Sequence, residues 1–237
     1  MPFKCVSRSD VGLRRKVNED SVMVRTERGL WAVADGMGGH DAGDVASAKV
    51  TDALKSLPIV YSLDELTEAA IKALQGVNAE LIELAGSVDS DRTIGSTVVG
   101  LAIADDEFRC FWAGDSRAYR VRDGEVERVS RDHSLVQDLV DAGMLSAEDA
   151  ESHPNANVIT RAVGVVAELR VETVSGDAKP GDRFVLASDG MTRLVEDHEL
   201  AEELNSKSLD DAVDSLIQMV LSRGAPDNVS IVITEVE

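Results

Sequence analysis

Apolar positions along the chain follow two periods. Runs in which nearly every residue is apolar, or every second one is, cover 3–8, 21–26, 30–34, 97–104, 108–113, 118–122, 125–129, 170–174, 183–187 and 229–236. Their length and their content of Val, Ile, Leu and Phe read as strands. Three other stretches repeat at helical spacing. Residues 43–57 place Val45, Ala46, Val50, Ala53, Leu54 and Leu57 on one stripe. Residues 63–85 do so with Leu66, Ala70, Ala73, Leu74, Val77, Leu81 and Leu84, with Ser62 or Asp64 as the cap. Residues 209–222 bring Leu209, Ala212, Val213, Leu216, Ile217 and Val220 to one side, and Gly224 ends them. Ala104-Asp105-Asp106-Glu107 is a turn signal, and Asp123-Gly124 is a hairpin signal. Strand runs interleaved with helix pairs predict stacked antiparallel sheets covered by helices, an α+β arrangement rather than a doubly wound parallel sheet. Residues 135–161 break the pattern. They are polar and short-helical, hold Gly143, Pro154, Asn155 and Asn157, and read as a lid or flap beside a site.

Composition narrows the function. The 237 residues carry a formal net charge of −20, with 43% hydrophobic, 29% charged and only 3% aromatic residues. The core must therefore be built from Val, Leu, Ile and Ala. A field of that sign repels nucleic-acid phosphates and anionic lipid, so neither nucleic acid nor a membrane surface is an expected partner. The two cysteines, Cys5 and Cys110, have no metal or disulfide spacing and read as free thiols of a reducing compartment. The start MPFKCVSRSD lacks the apolar run of a signal peptide, and no stretch has the length of a membrane span. The expected location is the cytoplasm, and the expected state a monomer.

Chemistry enters through the aspartates. Asp35 follows the run 30–34 and precedes Gly36-Met37-Gly38-Gly39. Asp115 follows Phe111-Trp112-Ala113-Gly114, and Asp189 follows 183–187 and precedes Gly190. Asp227 lies in Ala225-Pro226-Asp227-Asn228, and Asp20 ends Asn18-Glu19-Asp20. A single Asp-Gly pair is most often a turn, and Asp123-Gly124 is read as one. Five aspartates at strand ends can meet on one edge, where oxygen donors suit hard cations such as Mg²⁺ and Mn²⁺.

These residues, with Arg15 before Asn18-Glu19-Asp20, Val33–His40, Gly95-Ser96-Thr97, Ala113–Tyr119, Asp132-His133-Ser134, His153-Pro154, 159–164, 187–190 and 227–230, resemble in order the metal-dependent protein phosphatases of the 2C type, in their compact bacterial form. The likeness spans nearly the whole chain. It implies one domain over 1–237 with a flap at about 135–164, a four-layer α-β-β-α sandwich of two antiparallel sheets flanked by helix pairs, and a binuclear metal site at one edge. It further implies two core Mn²⁺ or Mg²⁺ ions bridged by Asp35, with the Gly36 carbonyl on the first and Asp189 and Asp227 on the second. Asp115 with Asp189 would hold a weaker third ion. Glu19 and Asp20 would order the solvent of the ions, Arg15 would grip the phosphate, and Asn228 would steady Asp227 or the bridging water.

The implied activity is hydrolysis of phosphoserine and phosphothreonine in proteins by direct attack of water, without a covalent phosphoenzyme, reversing a cognate Ser/Thr kinase. The overall form also resembles phosphatases of type VI secretion clusters. Met37 stands where some relatives have His, which leaves His40 as a general acid or as loop packing. Ala156 stands where many relatives have a basic flap residue. His133 and His153 read as structural and His198 as surface. Two other readings share the sequence: a small-molecule phosphomonoesterase, and a catalytically weak phosphoprotein-binding module, which would have lost a ligand from Asp35, Asp189 or Asp227.

Overall fold

The computed structural model describes residues 2–38, 42–59, 62–88 and 93–237. In chain order its elements are β1 (Phe3–Asp10), β2 (Asp20–Arg25), β3 (Leu30–Gly38), α1 (Gly43–Lys55), α2 (Leu63–Val88), β4 (Ile94–Ser96), β5 (Val98–Ala104), β6 (Glu107–Ala113), β7 (Arg117–Arg122) and β8 (Glu125–Arg128). They continue with α3 (Leu135–Asp141), α4 (Ala147–Ser152), β9 (Glu172–Asp177), β10 (Arg183–Ala187), α5 (Asp189–Thr192), α6 (Asp197–Ser206), α7 (Leu209–Ser222) and β11 (Val229–Val236). One sheet has the order β1-β11-β10-β7-β8. The other has β2-β3-β5-β6-β9, with β4 added to the end of β3. All pairings are antiparallel.

The near-continuous apolar runs are explained by burial of both faces of each sheet. In β3, Leu30, Ala32 and Ala34 point to α1 and α2, while Trp31 and Val33 point to the other sheet. In β10, Val185 and Ala187 face α6 and α7, while Phe184 and Leu186 meet the inter-sheet layer. The side-chain period of two thus feeds three cores at once, giving the four-layer α-β-β-α sandwich. Each large aliphatic side chain fully buried in this way contributes about 1.5–3 kcal/mol.

Several elements differ from the sequence expectation. Val45 is exposed (42%), and the buried face of α1 is Gly43, Ala46, Ser47, Val50, Thr51 and Leu54. Val45 lies about 100° around the axis from Ala46, outside that stripe. Helix α6 was not expected. It buries only Leu200 and Leu204, one turn apart, in an acidic stretch, and it starts with a capping box between Glu196 and Glu199. Strand β9 lies a few residues later than 170–174. It is an edge strand paired to β6 alone, and its mostly exposed residues leave little apolar pattern. Asp123 and Gly124 both take positive φ (53° and 88°) between β7 and β8, as a tight hairpin turn requires.

The sandwich has two ends. Turns such as Asp105-Asp106 and Asp123-Gly124 occupy one. At the other, Asp20 pairs with Asp35 across β2 and β3, β6 and β10 run out toward Asp115 and Asp189, and β11 begins just after Asp227.

Candidate active site

Each carboxylate at this end is carried by a backbone that is itself pinned. The Asp35 N–H donates to Thr97 Oγ1 (3.0 Å), and its carbonyl accepts from the Thr97 N–H (2.8 Å) and Ser96 Oγ (3.1 Å). Thr97 Oγ1 in turn meets Ser116 Oγ at 2.7 Å, tying the Asp35 segment to the turn that carries Asp115. Asp20 Oδ2 accepts from Ser188 Oγ (2.8 Å), and the Ser188 N–H donates to the Ser230 carbonyl (3.0 Å). One serine thus links the Asp20 strand to the one that delivers Asp189. A Cβ on Gly190 would lie 1.9 Å from the Asn228 carbonyl oxygen, so only glycine lets the Asp189 turn lie against the entry to β11. Gly36 is equally confined: a Cβ there would lie 2.0 Å from the Gly43 carbonyl oxygen.

Arg15, Glu19, Gly36 and Asn228 lie around these aspartates. Arg15 Nη2 donates to Asp227 Oδ2 at 2.7 Å, with Glu19 and Asp35 close enough to act on its charge. The Gly36 N–H donates to the Glu19 carbonyl (3.0 Å), and the Gly43 N–H donates to Glu19 Oε1 (3.2 Å). Asn228 holds Asp227 through its backbone N–H, which donates to Oδ1 (2.9 Å). Its carboxamide does something else: Nδ2 donates to the carbonyls of Val11 (2.9 Å) and Val17 (3.0 Å), and Oδ1 accepts from the Glu19 N–H (2.8 Å). Asn228 therefore clamps the loop that carries Arg15 and Glu19. His40 lies outside the described residues. His198 is on the surface beside Glu196. His133 is buried, stacked on Trp112, and accepts from the Gly114 N–H at Nδ1 (3.1 Å).

Sequence reasoning passed over Arg193. Its Nη2 reaches Asp115 Oδ2 at 3.2 Å and its Nε reaches Asp189 Oδ2 at 3.0 Å. The signal was available in part, because Arg193 is four residues after Asp189, a spacing that brings side chains together on a helical turn. Its second partner, 78 residues away, was not. The serine and threonine links were also missed, since single hydroxyl residues carry no pattern.

The electrostatics are those of crowded, buried acids. Burial, then the charges of Asp20, Asp189 and Asp115, push Asp35 well above the usual carboxylate range. Burial raises Asp20 to about 6 and Asp115 to about 7, with Asp189 adding to both. Glu19 is also raised, again chiefly by burial. Asp20 Oδ1 and Asp115 Oδ1 are buried without a hydrogen-bond partner. A buried anionic oxygen with no donor is costly, and neighbouring buried carboxylates favour a proton or a cation that offsets their repulsion. An all-oxygen donor set with orphaned oxygens fits a hard divalent cation. Among the described residues no three His, Cys, Asp or Glu side chains are gathered as a ligand set; Arg15 pairs with Asp227, and Arg193 pairs with Asp115 and Asp189.

A family model for protein phosphatase 2C matches residues 14–231. This chain belongs to the protein phosphatase 2C family. The serine/threonine protein phosphatase PstP of Mycobacterium tuberculosis is 36% identical to this 2C-type chain over an alignment of 237 positions that covers 99% of the chain and 45% of PstP. The chain thus spans about half the length of that relative. A crystal structure of the PstP catalytic domain in complex with two manganese ions superposes with a TM-score of 0.87 at 34% identity, covering 99% of each chain. PppA, described as a key regulatory component of T6SS in Pseudomonas aeruginosa, superposes with a TM-score of 0.92 at 42% identity over 99% of this chain and 98% of its own. The 2C-type sandwich expected from the sequence is the fold observed.

Proposed function

We propose that this chain is a metal-dependent protein serine/threonine phosphatase, a single catalytic domain over 1–237 whose flap at about 135–164 shapes the substrate side of the site. The observation that carries this reading is that Asp20, Asp35, Asp115, Asp189 and Asp227 lie at the same end of the sandwich, close enough for their charges to act on one another, with two buried oxygens lacking donors. Asp35, Asp189, Asp227 and the Gly36 carbonyl would hold two core cations, Mn²⁺ or Mg²⁺. Asp115 with Asp189 would hold a weaker third. Glu19 and Asp20 would order solvent around them. Bound there, the cations supply Lewis-acid charge and lower the pKa of water toward neutrality. PstP, solved with two manganese ions, supports that choice of metal.

The chain's own residues supply the rest. Arg15 is carried on the loop that the Asn228 carboxamide clamps, and its planar fork suits phosphate. The Arg15 guanidinium donates through Nη2 to Asp227, so gripping phosphate with the full fork would exchange one anion for another. Its positive charge opposes the negative charge that grows on the equatorial oxygens during transfer. No side chain acts as nucleophile, so no covalent phosphoenzyme forms. His40 is proposed as the proton donor or as loop packing.

The substrates are phosphoproteins of a cognate Ser/Thr kinase. The likeness to PppA supports a type VI secretion setting. No described helix is long and apolar enough to cross a membrane. A cytoplasmic monomer is part of the proposal, and the net charge of −20 supports a protein that avoids nucleic acid. The test compares a phosphothreonine peptide with sugar phosphates at equal concentration and saturating Mn²⁺. Preference for the peptide supports the proposal. Equal or better turnover of sugar phosphates replaces it with a small-molecule phosphomonoesterase, and no turnover of either replaces it with a binding module.

A further inference from the structure

The pair assigned to the weak third cation, Asp115 and Asp189, already has a positive charge between its members. Arg193 follows the short helix α5 and its N–H donates to the Asp189 carbonyl (3.0 Å), so its backbone is fixed one turn beyond Asp189. From there Nε lies 3.0 Å from Asp189 Oδ2, and Nη2 lies 3.2 Å from Asp115 Oδ2. The Asp115 and Asp189 side chains are 6% and 18% exposed, whereas that of Arg193 is 35% exposed. The guanidinium thus covers the two carboxylates from the solvent side. A divalent ion seeking the same two oxygens meets a tethered cation whose charge-assisted hydrogen bonds it must break. An incoming ion that left the arginine in place would be repelled by it at close range.

We propose that the Arg193 guanidinium is the resident cation of the Asp115–Asp189 pair, and that a metal ion gains this pair only by displacing it. This rests on the metal-dependent reading above. Its consequence is an enzyme whose two core sites fill first, while the Arg193 charge occupies the place of the third ion until far higher metal concentration.

The experiment counts bound Mn²⁺ rather than activity. The chelated full chain, R193M and R193K are titrated with Mn²⁺, free ion is followed by electron paramagnetic resonance, and ion positions are found by anomalous diffraction. Wild type is expected to take two ions, and the third only at far higher concentration. R193M should take the third at a concentration lower by roughly 10- to 100-fold, the scale of one or two lost charge-assisted hydrogen bonds. R193K, which returns the charge without the fork, should fall between them. Equal third-ion affinity in wild type and R193M overturns the inference. So does an ion between Asp115 and Asp189 of wild type at the concentration that fills the core sites, or one found there with Arg193 still in contact with both carboxylates. These wild-type outcomes decide the matter even where R193M does not fold. Failure of wild type to hold the two core ions counts against the metal-dependent reading itself.

Discussion

Replacing Asp20 by asparagine should stabilise the metal-free protein while weakening its response to metal. Asp20 Oδ2 accepts from Ser188, an interaction that an asparagine oxygen can keep, whereas Oδ1 is buried without a donor. Burial first, then Asp189 and Asp227, raise this carboxyl from 3.8 to about 6. A shift of that size makes the ionised form about 3 kcal/mol less favourable in the folded chain than in the unfolded one. The sign follows from linkage: the folded state holds the proton more tightly, so the penalty is absent below pH ~4, grows through pH ~4–6 and is fully present above. Asparagine removes it. At about 2–4 °C per kcal/mol for a chain of this size, metal-free Asp20→Asn should unfold up to about 6–12 °C above wild type at pH 7.5 and show little difference at pH 4. Scanning calorimetry in EDTA across that range measures this. Added Mn²⁺ should raise wild type by ligand linkage and the variant by less. A metal-free variant that unfolds at or below the wild-type temperature at pH 7.5 would refute the reasoning.

Other substitutions separate the roles at the site. Asp189→Asn should nearly silence phosphopeptide turnover while circular dichroism stays native, since it removes a charge and no core contact. Wild-type kcat at saturating Mn²⁺ would remove Asp189 from the ligands. Arg15→Ala should lower kcat by about 10²-fold, the scale of one lost donor to developing charge, with Arg15→Lys recovering part of it. Arg14→Ala is the control, and an Arg15→Ala enzyme no worse than that control would leave the phosphate role unsupported. Gly36→Ala should cost about 3 kcal/mol or more, because its Cβ meets the Gly43 carbonyl at 2.0 Å; an unchanged unfolding temperature would contradict the close approach.

Much of the fold was legible because each sheet is buried on both faces. Trp31-Ala32-Val33-Ala34 and Phe184-Val185-Leu186-Ala187 announce strands without any need to know which face meets which layer. Helix α7 was legible because six buried residues repeat at its period. Helix α6 was not, since two leucines and a glutamate cap carry it, and neither feature stands out in an acidic stretch. At the site, the aspartates were visible through their places after apolar runs. Arg193 and the Asn228 carboxamide were not, because their partners lie 78 and more than 200 residues away. Such contacts are set by how the strand ends converge, which local spacing does not encode.

Hydrolysis of a phosphothreonine peptide by the full chain, first stripped of metal and then titrated with Mn²⁺, tests the central claim most directly. Negligible turnover after chelation, restored by Mn²⁺ and abolished again by EDTA, is the expected result. Full turnover in metal-free buffer after exhaustive chelation would contradict the account.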